Sequence, residues 1–132
     1  MAVTKYNAKD TSIVVGGVYI TGLGEDMVSI EKEEGFAETS VGAQGDVVRS
    51  TINNPIWNIR ITVQATRPQL KYLIALKDAT KAVDGWVINK ALGIKAGGTQ
   101  GYISEMPEIS LGAEAEDVEI AFTVCDGNII VG

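Results

Sequence analysis

The chain has 132 residues and a mass of 14.0 kDa, which suits a single domain over 1–132 and leaves little room for a second. With 45% apolar and 21% charged residues and a mean hydropathy of +0.13, it is neither a disordered chain nor a membrane-embedded one. Its 11 basic and 17 acidic residues give a net charge of −6, the wrong sign for a protein that grips nucleic acid by neutralising phosphates.

In chain order, the first elements are strands at Ile13 to Val15 and Val18 to Ile20, joined by Gly16-Gly17 as a tight hairpin. Val28 and Ile30 then alternate with Ser29, Glu31 and Glu33, a strand with one apolar and one acidic face. From Glu34 the chain changes character: up to Asp46 it holds three glycines and small polar residues, with Phe36 and Val41 as its large apolar side chains. This reads as a long loop, continuing to Arg49, of the kind that covers a site or reaches a neighbour, or equally as a mobile hairpin tip. The clearest strand follows, with Trp57, Ile59, Ile61, Val63 and Ala65 alternating with Asn58, Arg60, Thr62 and Gln64.

A helix is predicted over about 67–78, where Leu70, Leu73, Ile74 and Leu76 fall at helical spacing. Thr66 and Gln69 form a capping box, and Pro68 sits in the first turn. Lys71, Lys77 and Lys81 place positive charge toward its C-terminal end, where it complements the helix dipole. Further strands are predicted at Trp86 to Lys90 and at Gly101 to Met106, the latter ended or bulged by Pro107. Val118, Ile120, Phe122 and Val124 alternate with Glu119, Ala121 and Thr123, and Asp126-Gly127 marks a turn before a last strand at Asn128 to Val131. The fold class is therefore mainly β, of sandwich or barrel type, with one helix. A compact fold of this mass exposes about 6,700 Å² and buries about two-thirds of the surface of its unfolded chain.

Candidate chemistry is sparse. The chain contains no histidine, which removes the usual general base and the commonest metal ligand. Cys125 has no second cysteine to pair with, which fits a reducing compartment, and no histidine to activate it as a nucleophile. The acidic groups at Glu31, Glu33 and Glu34, and at Glu114, Glu116, Asp117 and Glu119, raise a paired-carboxylate hydrolase, but solvent-facing strand positions account for them. Gly93, Gly97, Gly98 and Gly101 match no phosphate-binding spacing. The eight aromatic residues are scattered and build no stacking platform. No catalytic residue, cofactor or metal is expected. No apolar run is long enough to span a bilayer, and Met1 to Asp10 lacks the pattern of a signal peptide, so the chain is expected to stay where it is made. A small β-rich frame with many edges must cover or pair them, and pairing with copies of itself is one solution.

Over most of its length the chain resembles the major tail tube proteins of contractile-tailed bacteriophages. The resemblance is carried by VVGGVYITGLGEDMVSIEKEE, the segment VGAQGDVVRS, the strand IRITVQATRPQL running into the helix, and the closing DVEIAFTVCDGNIIVG, in that order. It implies a virion structural protein, assembled in the host cytoplasm, that forms hexameric rings stacked into a hollow tube. Strands of each subunit would join an inner β-barrel, and DNA would pass without specific binding. The partners implied are further copies, a tail sheath protein, and baseplate and tail terminator proteins, with no membrane anchor. The alternatives are a tube subunit of a contractile bacteriocin or secretion device, a baseplate or tail adaptor module, and, ranked last, an enzyme.

On this reading Ser29, Glu31, Glu33, Asp117, Glu119 and Thr123 face the lumen, where their acidic balance repels phosphate. The 34–49 loop makes the inter-ring contact through Glu34, Glu38, Asp46 and Arg49, with Phe36 or Val41 as an anchor. Lys71, Lys77 and Lys81 face the sheath.

Overall fold

A computed structural model describes residues 5–21, 23–64, 67–76, 82–113 and 116–132. The chain is mainly β, with its large sheet curled into a half-barrel. After a short 3-10 turn at Ala8–Asp10 come β1 (Thr11–Val15), β2 (Val18–Tyr19), β3 (Leu23–Lys32), β4 (Ala37–Val41), β5 (Val47–Thr51) and β6 (Trp57–Val63). Helix α1 (Arg67–Ala75) leads to β7 (Val83–Asn89), β8 (Ile94–Ile103), β9 (Val118–Val124) and β10 (Asn128–Val131). The eight-stranded sheet runs β2-β1-β7-β8-β9-β6-β3, all antiparallel, with β10 also on β8. Strands β4 and β5 form a separate two-stranded sheet.

Alternation builds the core as expected. One face of β6 (Ile59, Ile61, Val63) and one of β9 (Val118, Ile120, Phe122, Val124) pack with Ile13 and Val15 of β1 and Val87 of β7. Helix α1 covers this cluster through buried Leu73, flanked by Leu70, Tyr72 and Leu76. The Tyr72 hydroxyl donates to the Val15 carbonyl at 2.7 Å, and burial, then the nearby Asp84 charge, hold its pKa above the usual tyrosine value. The last turn of the helix contains no basic residue. Thr66 of the expected capping box, and Lys77 and Lys81, lie outside the described residues.

The β1–β2 connection is the predicted one: Gly16 and Gly17 take φ of 60° and 81°, the left-handed pair that a two-residue hairpin turn demands. Gly85 and Gly101 have another reason. A Cβ at either would run into the Phe122 ring, so the largest core side chain packs against two bare backbones.

Two expectations are corrected. The 34–49 segment is not an irregular loop: β4 and β5 pair in full register from Ala37↔Thr51 to Val41↔Val47, with only the Gly42–Asp46 turn between them. Alternation does not reveal these strands because every residue but Ala37 is exposed, so neither face selects apolar side chains. The hairpin extends the β3–β6 ribbon, since Glu33 N–H bonds the Ile56 carbonyl and Ile52 N–H bonds that of Phe36. The strand expected at Gly101 to Met106 is the last part of a longer β8 that ends at Ile103, four residues before Pro107.

The turn expected at Asp126-Gly127 before β10 is present, but it does not reverse the chain. Val124↔Gly101 and Asn128↔Gly97 keep one register, so β9 and β10 run on along β8 with a corner between them. In β8 the corner is a bulge at Thr99–Gln100, after which the covered positions switch from Ala96 and Gly98 to Gly101. The Asp126 carboxylate accepts from Thr99 N–H at 3.0 Å, from Gln100 N–H at 2.9 Å and from the Thr99 hydroxyl, filling donors that the bulge leaves without a ladder partner.

Candidate functional site

Strand β6 lies between β3 and β9, so the register brings the predicted acidic positions onto one sheet face. Glu31 stands opposite Asn58, which stands opposite Thr123, followed by Tyr102 of β8. The next row is Ser29, Arg60 and Ala121, and Thr62 pairs with Glu119 in the row beyond. Ser29, Glu31 and Glu119 are exposed on this face, and Glu33 is exposed just past the end of β3. Asp117 is exposed immediately before β9, its carboxylate against Gly24 of β3. Thr123 departs from the expectation of an open position: it is 7% exposed and donates to Asn58 Oδ1 at 3.1 Å.

Arg60 organises the electrostatics here. Its guanidinium donates to Glu119 Oε1 at 2.9 Å, and that hydrogen bond, then the Glu119 charge, with Glu105 and Glu31 further off, hold it still more firmly protonated. Both partners are more than half exposed, so the pair arranges surface charge more than it stabilises the fold. A cleft of about 370 Å³ opens beside it, between Arg60, Glu119 and Ala121 on the sheet and Glu105, Met106, Pro107 and Glu108 on the connection from β8 to β9. The sequence does not foretell Arg60, because alternation marks it as outward without showing that β9 places Glu119 beside it.

The expected contact residues gather on the hairpin. Glu38 and Val41 lie on β4, Arg49 on β5, Asp46 in the turn, and Glu34 and Phe36 in the approach from β3, where Lys32 stacks 5.0 Å from the Phe36 ring. Phe36, Val41, Val47 and Val48 are 59% to 70% exposed, a dense set of large apolar side chains for so short an element. Lys71 is exposed on α1, away from this group in the chain.

The opposite half of the sheet carries an outward surface that composition does not reveal. Tyr19, Val14 and Trp86 share one row, and Ser12, Ile88, Lys95 and Ile130 the next. Lys95 Nζ lies 4.6 Å from the Trp86 ring, and Trp86 Nε1 donates to Asp84 at 3.2 Å. Among the described residues, no group of histidine, cysteine and carboxylate side chains could hold a metal ion.

No protein-family model matches the chain, and no curated protein does either. Its fold is that of solved components of contractile injection systems. A sheath/tube terminator of an extracellular contractile injection system, in the extended state, superposes with a TM-score of 0.66 at 12% identity, over 98% of this chain and 99% of that one. A chain of the sheath–tube complex of such a system gives 0.63 at 12% identity, over 97% and 93%. The tube-terminating cap of the anti-feeding prophage gives 0.56 at 8% identity, over 100% and 95%.

Proposed function

We propose that this chain is a structural, non-catalytic subunit of a contractile tail or injection device, built into the tube or the ring that ends it. The observation that carries the proposal is the end-to-end likeness of fold to a sheath/tube terminator, a sheath–tube complex chain and a tube cap. Such components work by assembling, and the shape of this chain suits that. Its β4–β5 hairpin stands apart from the large sheet with every strand residue but Ala37 exposed, surface that a partner can cover.

In the fuller form of the proposal, six copies close a ring and rings stack into a hollow tube, with sheath, baseplate and terminator proteins as partners. The polar sheet face of Ser29, Glu31, Glu33, Asp117 and Glu119 lines the lumen. Six copies at −6 each give a ring of roughly −36, and an acidic wall lets DNA slide without sticking. The β4–β5 hairpin makes the contact between rings, and the α1 side with Lys71 meets the sheath. A tube that delivers protein would use the same parts.

A second reading, a terminator or cap that forms one ring at the tube end, is favoured by two of the three similar structures. Negative-stain electron microscopy of the purified chain over a concentration series, with light scattering, separates the two. Hollow rods of varied length support the tube and discrete rings support the terminator or cap. A 14.0 kDa monomer at every concentration refutes both.

A further inference from the structure

Two surfaces of the chain lack a partner among the described residues, and their chemistry is complementary. One is the outward face of β1, β7 and β8, where Tyr19 (69% exposed) and Ile130 flank half-buried Val14, Trp86 and Ile88. The face carries two charges beside Trp86: the Asp84 carboxylate, half-buried and accepting from the Trp86 indole N–H, and the Lys95 ammonium, which is the exposed one. The other surface is the hairpin, a two-stranded ribbon that is marginal in water unless something packs on it.

Its register sorts the hairpin into two faces. Ser40 opposite Val48 and Glu38 opposite Ser50 share one face, whose charge is a carboxylate. Thr39 opposite Arg49 and Val41 opposite Val47 share the other, whose charge is a guanidinium.

We infer that the Glu38–Val48 face of one copy's hairpin seats on the Trp86–Lys95 face of a second copy, Glu38 against Lys95 and Val48 on the aromatic row. The Arg49 face would bring like charge to Lys95, so charge selects which side docks. The two patches differ, so the contact is heterologous: every copy gives a hairpin and receives one, and the contact repeats from copy to copy. This inference rests on the assembling-subunit reading above and names the receptor of its hairpin.

The test is charge reversal. Lys95→Glu, Glu38→Lys and the double reversal are compared with the unaltered chain by sedimentation velocity and electron microscopy, with circular dichroism to verify folding. Each single reversal is expected to raise the concentration for half-assembly about tenfold, and the double to restore it to within about threefold. Tyr19→Ser, at the rim of the receiving face, weakens assembly with an unchanged dichroism spectrum. If the unaltered chain assembles and both single reversals assemble equally well, or the double repairs neither defect, the inference is overturned and the assembly reading stands. A chain that never assembles overturns both.

Discussion

Asp126 gives the sharpest stability prediction, because one carboxylate holds the corner at which β8 and the β9–β10 strand change phase together. Asp126→Ala removes the acceptor of three hydrogen bonds, from Thr99 N–H, Gln100 N–H and the Thr99 hydroxyl. Hydrogen bonds to a charged group contribute about 1.5–3 kcal/mol each when sheltered, but this site is open to water, which can replace the lost acceptor. The expected loss is therefore about 1–2 kcal/mol in all, read from urea unfolding followed by tryptophan fluorescence. The sign of the pH dependence follows from the same bonds. The Thr99 hydroxyl first, then the Gln100 N–H, hold the Asp126 pKa below its ordinary 3.8. A depressed carboxylate pKa contributes stability that is fully present above the unfolded value and lost as pH falls through the folded one. The difference between the unaltered chain and Asp126→Asn should thus be constant from neutral pH to about 5 and close below about 4. A difference that persists unchanged below the folded pKa, or an Asp126→Ala midpoint equal to that of the unaltered chain, would refute the role of this carboxylate.

Phe122→Ala, which empties the centre of the core, should cost about 3–5 kcal/mol by chemical denaturation. Gly101→Ala should cost about 1–3 kcal/mol by overpacking, and less in a Phe122→Leu background; additive effects in that cycle would show that the ring and Gly101 do not collide. Glu119→Gln should leave the unfolding midpoint unchanged, because the Arg60 pair is exposed, while making salt alter assembly differently; a large loss of stability would contradict the exposure of the pair. Replacing Phe36 to Gln44 with a short turn should leave the tryptophan-monitored unfolding of the large sheet unchanged and reduce tube length and yield; unchanged tubes would remove the hairpin from the assembly contact.

What the sequence discloses depends on whether a face is buried. Ile59, Ile61 and Val63, and Val118 to Val124, announce their strands because burial on one side enforces alternation. The helix is legible from Leu70, Leu73 and Leu76 for the same reason. The β4–β5 hairpin escapes because water surrounds it, and the first part of β8 escapes because Gly97 and Gly98 stand where a pattern would call for larger side chains. The acidic face was foreseeable residue by residue, yet its organisation around Arg60, and the covering of Thr123 by Asn58, depend on strand order, which no local pattern encodes.

The hairpin is joined to the large sheet by two short connections, with two residues (34–35) opposed by three (53–55) between the flanking bonds. Its length can therefore change without disturbing the core. Adding or removing two residues on each strand moves the Gly42–Asp46 turn by roughly 6.6 Å and keeps every side chain on its own face. A one-residue change on each strand moves it by half as much and exchanges Glu38 and Arg49 between faces. The reach of this arm is thus adjustable in even steps, and lineages that alter the spacing between copies would do so by inserting residue pairs here.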